Sequence, residues 1–417
     1  MTTPIELLPL GNTPTSGMRT VTWGEPGAEP AGDLNASIGP WFAAFGTVSD
    51  VVVGIGRLAV GVFIADRATP RNPLRQQRDI ALHVWVPNPA AVAPAIDDLE
   101  TMLKFLTGDT WHLTLAKDET PRTTSLAPPR SADQISLLSG GLDSYCGALI
   151  GGSADRLFLS HADSSVITNS QSRTVTALDE LNITVERVRL LVPSVHNREA
   201  SRRSRSFLFM GLAIALADAV GAPSVEVPEN GFTSLNPPLA ANRNGVFTTR
   251  STHPWTFTTL QQALTSAGIT TQLLNPYEWL TKGELVKAAV QATSIAAVQA
   301  GLEATMSCAK SNPILHNSGF GRNCGLDYSC IVRRGAVLAA GITDTTNYLC
   351  ADAAVNQHEL LKLRRGDVAA VRLALQRPPS IEALLSGCGP FPDGYDFDAA
   401  IDLWRRGHDE LRLVALP

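Results

Sequence analysis

The sequence predicts an α/β protein in which a mainly parallel sheet is flanked by helices, with an N-terminal α+β domain before it and a helical tail after it. Three observations carry this expectation. Short apolar runs, Ile135–Leu138, Leu157–Ser160, Val185–Val192 and Ser224–Val227, alternate with helical stretches in the manner of βαβ units. The stretch Phe207–Ala219 is apolar on nearly every face, as a helix buried against such a sheet must be, and Gly221 would end it. Two adjacent glycines, Gly140 and Gly141, stand where the first of these runs gives way to a helical pattern.

Taken in order, the chain opens irregularly, with Pro, Gly and Thr scattered over 2–39, and apolar runs at Val51–Gly54 and Leu58–Ala65 then read as strands. Ile80–Val86 alternates and is closed by Pro87 and Pro89. Ile96, Leu99, Met102, Leu103 and Leu106 follow at helical spacing, with Gly108 as the stop. From Lys117 to Gln134 the chain is polar, carries Pro121, Pro128 and Pro129, and lacks apolar periodicity, which is the composition of a connector. The expected division is an α+β accessory unit over 1–117, a linker over 118–134, the parallel-sheet unit over 135–349 and a helical region over 350–417. Within the last, helices are expected at Gln357–Leu363 and Ala399–Leu403, separated by a Pro/Gly-rich loop around Cys388–Gly394.

Composition narrows the function. The 417 residues are 44% hydrophobic and 18% charged, enough apolar material for a large core. Lys and Arg total 34 against 39 Asp and Glu, a net charge of −5, so no global positive field favours a nucleic-acid partner. No apolar run reaches the roughly 18 residues of a membrane span and no secretory leader is evident, so a cytoplasmic protein without a membrane partner is expected. Six cysteines are too few for a disulfide scaffold in a chain of this length, and three of them cluster.

The clearest signal is Ser139-Gly140-Gly141-Leu142-Asp143-Ser144, which joins the run Ile135–Leu138 to the helical stretch Tyr145–Ile150. Paired glycines allow a tight turn and close backbone approach, and a helix start offers N–H groups and the positive end of a dipole to an anion. The loop lacks the Gly-Lys-Ser/Thr ending of a Walker loop. Farther on, Cys308, Cys324 and Cys330 share a stretch with Asp327 and His316, and zinc bound by the three thiolates needs a fourth ligand from one of those two. Cys146, Cys350 and Cys388 are isolated and read as small buried hydrophobes.

Ser-Gly-Gly-x-Asp-Ser resembles the PP-loop of the ATP pyrophosphatases, which split ATP between the α and β phosphates. That resemblance implies an adenine nucleotide alpha hydrolase-like fold and ATP with Mg²⁺. In it Ser139, Gly140, Gly141 and Ser144 hold the β and γ phosphates, with Leu142 inside the loop and Asp143 acting through Mg²⁺ or orienting the loop. Cys324-Gly325-Leu326-Asp327-Tyr328-Ser329-Cys330, with Cys308 upstream, is similar to the zinc end of the 7-cyano-7-deazaguanine synthase (QueC) family, Asp327 standing where that pattern has a cysteine. A hard carboxylate in place of a soft thiolate weakens such a site without removing it. Arg205-Ser206-Phe207 resembles the family's Arg-Asn before a helix, with Ser206 as a departure, and Asn275-Pro276-Tyr277 with Thr281-Lys282-Gly283-Glu284 resembles its Pro-then-Lys-x-Glu segment.

The family resemblance covers about Ile135 to Gly341. Arg205 and Lys282 become candidate phosphate ligands, Asp143 and Lys282 the candidate catalytic pair, and the basic run Arg198, Arg202, Arg203 and Arg205 a source of further phosphate contacts. Polar residues after the run Ser224–Val227, namely Glu229, Asn230, Asn236, Arg250 and His253, fall at the ligand-binding edge of a parallel sheet and are candidate substrate contacts. The resemblance implies adenylation of a 7-deazaguanine carboxylate followed by transfer to an amine, with no protein nucleophile. The N-terminal segment, including Ala65-Asp66-Arg67 and Leu106-Thr107-Gly108-Asp109-Thr110-Trp111, and the tail after Cys350 lie outside that core. With them the chain resembles the QueC-like components of the Qat anti-phage defence systems, which implies a partner protein as acceptor. The alternatives are a small-molecule nitrile or amide synthase that uses ammonia, its extra segments serving oligomerisation, and an ATP-binding scaffold without turnover.

Overall fold

The computed structural model describes residues 4–23, 33, 42–72, 77–121, 130–151, 155–161, 165–190, 192, 198–239, 247–309 and 321–417. Its N-terminal part holds a four-stranded sheet, β1 (Ile5–Pro9), β2 (Arg19–Trp23), β3 (Asp79–Val86) and β4 (Thr110–Lys117), in the order β2-β1-β3-β4. All of its strand pairs are parallel. Helix and strand mix here as expected, but the runs Val51–Gly54 and Leu58–Ala65 are not strands. They form one helix, α1 (Asp50–Ala68), in which 16 of 19 residues are buried. A helix covered on all sides has no polar face, so its sequence loses the 3.6-residue period and is easily mistaken for buried strands. The helix α2 (Ile96–Thr107) lies where its spacing placed it, stopped by Gly108 in a left-handed conformation.

The second sheet comprises β5 (Gln134–Leu137), β6 (Arg156–His161), β7 (Arg187–Leu190), β8 (Ser224–Glu226) and β9 (Gln272–Leu274). Its order is β7-β6-β5-β8-β9, parallel throughout. Helices α3 (Leu142–Ile150), α4 (Ser165–Asp179), α5 (Arg205–Val220), α6 (Pro254–Ser266), α7 (Lys282–Ala292) and α8 (Ile295–Ala304) surround it. Leu157 and Leu159 of β6 join α5 in one core, whereas Phe158 joins Tyr145 and Leu285 in another, so both faces of the sheet are covered.

The same core that takes in Leu157 and α5 also takes in α1 and the first sheet. Helices α1 and α5 run antiparallel, and both ends of the pair are pinned. The Ser49 N–H donates to Asp218 Oδ2 at 2.6 Å, while Ser204 Oγ donates to Asp66 Oδ2 at 2.8 Å. Between these ends a Cβ on Gly211 would stand 2.6 Å from Ala59 Cβ, so the close approach depends on that glycine.

Beyond them, α9 (Tyr328–Ala339), α10 (Gln357–Leu375), α11 (Ile381–Gly387) and α12 (Phe397–Arg412) gather a further core around Trp404, Leu403 and Phe232. The two expected C-terminal helices are present and extend well past their apolar stretches. α12 also buttresses α7. Glu410 accepts from Gly283 N at 3.1 Å and from the Thr281 hydroxyl, beside the Thr281/Glu284 capping box that starts α7. Among the described residues no helix is long and apolar enough to cross a membrane.

Replacing Gly211 by Leu would force α1 and α5 apart. The expected loss is about 1–3 kcal/mol, read as a lower denaturant midpoint.

Candidate active site

In the order β7-β6-β5-β8-β9 the chain leaves β5 in one direction for β6 and returns on the other side at β8. The loops after β5 and β8 therefore diverge, and the crevice between them is where open parallel sheets receive ligands. The loop after β5 is Ser139–Ser144, and the loop after β8 is Val227–Asn230.

The first loop is held by its own hydroxyls. Ser139 N donates to Ser144 Oγ at 3.2 Å, the two serine oxygens lie 3.1 Å apart, and Gly141 N donates to Ser139 Oγ at 3.2 Å. Gly140 has φ +83, and a Cβ there would stand 3.0 Å from Gln171 N on α4. Its carbonyl accepts from Ser170 Oγ at 2.7 Å and from Met306 N at 3.0 Å. No side chain caps the start of α3, so its positive end faces the crevice. Leu142 is the first residue of that helix and lines the same space.

Asp143 ties the two loops together. Its carboxylate pairs with Lys282, the first residue of α7, and accepts from Asn230 Nδ2 at 2.8 Å and Asn230 N at 3.3 Å. Burial alone would raise the acid's pKa, but the Lys282 charge and the Asn230 donors hold it below the usual carboxylate range. Glu229 next door is shifted the other way. Burial and the Asp143 charge push it up to about 8 against the pull of Lys282, so it carries a proton at neutral pH. The proton of Glu229 faces the Asp143 carboxylate, which leaves Glu229 oxygen lone pairs as acceptors.

Two cavities meet at this point. One, of about 380 Å³, is lined by the Ser139–Asp143 loop, Arg205, Thr252, Lys282 and Ser307. The other, of about 550 Å³, has an apolar floor of Leu137, Phe209, Met210 and Val227, with Ser144 and several arginines above it. Ser139, Arg202, Arg205, Glu229, Ser251 and Thr252 line both. Of the residues sequence reasoning did not single out, Ser170, Thr233 and Ser307 line the first cavity. Only their hydroxyls marked them, and hydroxyls are too common in loops to stand out.

Three candidate substrate residues are placed elsewhere, which corrects the expectation drawn from their position in sequence. His253 is fully buried as the N-cap of α6, accepting from Trp255 N at 3.2 Å, between the rings of Phe105 and Phe391. Burial, and then the Arg250 charge, push its pKa down to about 3. Arg250 stacks over Phe105 and donates to its carbonyl at 2.8 Å. Asn236 has φ +52, and its carbonyl accepts from Cys388 Sγ. Neither cavity is lined by any of the three. Asn230 is in the site, as partner of Asp143 and cap of the short helix Gly231–Ser234.

Cys308, Cys324, Asp327 and Cys330 are all buried, and one ligand atom from each lies within 4.8 Å of the others. Cys324 Sγ and Cys330 Sγ are 4.0 Å apart, close to the roughly 3.8 Å edge of a tetrahedron with about 2.3 Å Zn–S bonds. Asp327 caps α9 through Cys330 N at 2.8 Å and also accepts from Ala309 N at 2.9 Å. The cluster can hold a zinc ion, with Asp327 as the carboxylate ligand. His316, the alternative fourth ligand, lies outside the described residues. Cys308 also lines the loop cavity, so a metal here would fix the wall that carries Met306 and Ser307.

The fold and site thus define an α/β protein with an anion-receptive loop at the switch point of a parallel sheet. No family model matches the chain. Among curated proteins it is similar to a 7-cyano-7-deazaguanine synthase of Ralstonia pickettii (strain 12J), at 30% identity over 149 residues. That alignment takes in 35% of this chain and 57% of the synthase, so the chain spans little more than half the length of the relative it matches.

Two measurements check this description. Metal analysis of protein purified without chelator should give about one zinc per chain, and Cys324→Ser should lose most of it and lower the melting temperature. His253, held neutral when folded, stabilises the protein above its ordinary 6.5 and ceases to as pH falls toward about 3. Wild type should therefore lose about 1–2 kcal/mol more than His253→Asn, which keeps the capping acceptor, between pH 7 and 5 in denaturant titrations.

Proposed function

We propose that this protein is an ATP pyrophosphatase-type ligase that adenylates the carboxylate of a 7-deazaguanine-type molecule and passes the acyl group to an amine. The observation that carries the reading is the hydroxyl-lined Ser139–Ser144 loop at the sheet's switch point, with Asp143 and Lys282 beside it and a second, more apolar cavity adjoining. The similarity to a deazaguanine synthase supports the same chemistry.

In this reading the triphosphate lies on the loop, with Ser139, the Gly140-Gly141 backbone and Ser144 donating to the β and γ phosphates. Mg²⁺ accompanies the nucleotide, and Asp143 is the carboxylate available to it. The flat ring occupies the cavity floored by Phe209 and Met210, its polar edge toward Glu229. A carboxylate oxygen attacks the α phosphorus, and the α–β bridge breaks with its electron pair leaving on pyrophosphate. An amine then attacks the acyl carbon, AMP departs with the bonding pair, and the amine nitrogen loses a proton. Positioning and charge stabilisation suffice for both steps. The likeness to a synthase supports ammonia as the amine. The QueC-like components of defence systems, which the full length resembles, support an amine on a partner protein and a role in anti-phage defence.

With Mg-ATP and 7-carboxy-7-deazaguanine, AMP and pyrophosphate should form, and Ser139→Ala should slow them about 100-fold. ADP, or AMP independent of the deazaguanine, would overturn the reading. Ammonia dependence of product release, against a mass increase of a co-purified partner protein, separates the two acceptors.

A further inference from the structure

The cations around the two cavities are not equivalent. Lys282 pairs with Asp143, Arg205 donates to the His161 carbonyl at 3.2 Å, and Arg203 donates to the Thr107 carbonyl at 2.7 Å. Arg71, on the wall of the second cavity, makes a two-pronged pair with Asp109 at 2.9 Å per contact. Arg202 differs from all of these. It is exposed, it lines both cavities, and among the described residues its guanidinium has no hydrogen bond or ion pair.

Its neighbours Ser201 and Ser204, in contrast, are held by the N-terminal unit. Asp66, near the end of α1, accepts from Ser201 Oγ at 2.7 Å and from the Ser204 hydroxyl and N–H at 2.8 and 3.3 Å. Asp66 is itself fixed by Arg78, which also binds Asp109 at 2.6 Å, so two aspartates and two arginines form a buried, charge-balanced lattice. The residues flanking Arg202 are thus pinned while its side chain stands open at the mouth shared by the cavities. The turn leads into α5, and Asp66 already receives the donors at that helix start. The two stretches Ala65–Arg67 and Leu106–Trp111 supply the aspartates of this lattice, and Arg71 and Arg78 come from the segment between them.

We propose that Arg202 is the anion ligand shared by the two cavities, contacting the α phosphate of the nucleotide and the carboxylate that approaches it, and that the N-terminal unit positions it through Asp66. This rests on the nucleotide reading given above. A guanidinium between two anions screens their mutual repulsion and can hold both in a planar fork, which an ammonium cannot.

The test compares wild type, Arg202→Ala and Arg202→Lys in equilibrium binding of Mg-ATP and of adenosine, and in AMP formation with 7-carboxy-7-deazaguanine. Because Arg202 is exposed, the melting temperature should not change. Arg202→Ala should bind Mg-ATP about 10- to 100-fold more weakly, as expected for loss of a charge-assisted contact, and adenosine unchanged. AMP formation should fall about 100-fold, with Arg202→Lys recovering only part of each loss. Equal Mg-ATP affinity and equal AMP formation in wild type and Arg202→Ala would overturn the proposal while leaving the adenylation reading intact. A parallel loss of adenosine binding would also overturn it, because the effect would then be structural. Should wild type make no AMP, the adenylation reading fails and the binding arm decides alone: weaker Mg-ATP with unchanged adenosine upholds Arg202 as the anion ligand, and equal affinity rejects it.

Discussion

Two helices without a polar face, α1 and α5, must lie against each other because neither tolerates water on any side. From that contact the remainder of the architecture follows. α5 packs on the second sheet and α1 on the first, so the two sheets share one core and their orientation is set by the helix pair. The antiparallel arrangement brings the end of α1 to the start of α5, where Asp66 receives the Ser201 and Ser204 donors and offsets the helix dipole. A segment that reads as an accessory unit is therefore in direct bonded contact with the turn at the mouth of the site.

The crevice itself is a balance of charges in a confined space. Asp143 stays ionised because Lys282 and Asn230 compensate its burial, while burial, and then the Asp143 charge, push Glu229 up and keep it protonated. One carboxylate is thereby an acceptor only, whereas the neighbouring one can also donate. Two acids, one at the start of α3 and one in the loop after β8, acquire different chemistry from environment alone. An incoming cation that drew Asp143 away from Lys282 would change both, since Glu229 responds to each of them.

Much of this was legible in the amino-acid order, and what was not had physical causes. The strands β5, β6 and β8, the helix α5 and the Ser139–Ser144 loop could be read because short apolar runs and a double glycine are local signals. The strands inside 51–65 were a misreading, since complete burial erases the periodicity that tells helix from strand. β1 and β2 lay hidden in an opening rich in Pro and Thr, where pairing of β1 with β3, over seventy positions away, and of β2 with β1 supplies the order that local propensity does not. In the site, Asp143, Lys282, Glu229 and Asn230 do converge, because they sit at loop and helix starts on one edge of the sheet. Arg250 and His253 were chosen for their chemistry, but tertiary packing against Phe105 turned them into an aromatic support for α6. The three cysteines were recognisable from their clustering, with His316 or Asp327 as the fourth ligand, and folding brings the donor atoms of the cysteines and Asp327 within 4.8 Å of one another.

The carboxylate of Glu410 braces the start of α7, the turn from which Lys282 reaches Asp143. The loop that Lys282 completes begins at Ser139, more than two hundred and fifty positions before Glu410. During synthesis on the ribosome, the sheet and its Ser139–Ser144 loop can form long before the brace has been made. A nascent chain would hold an open, unfinished crevice until α12 emerges and docks. The crevice is thus complete only once translation has passed residue 410, so its assembly belongs to the last stage of the chain's synthesis.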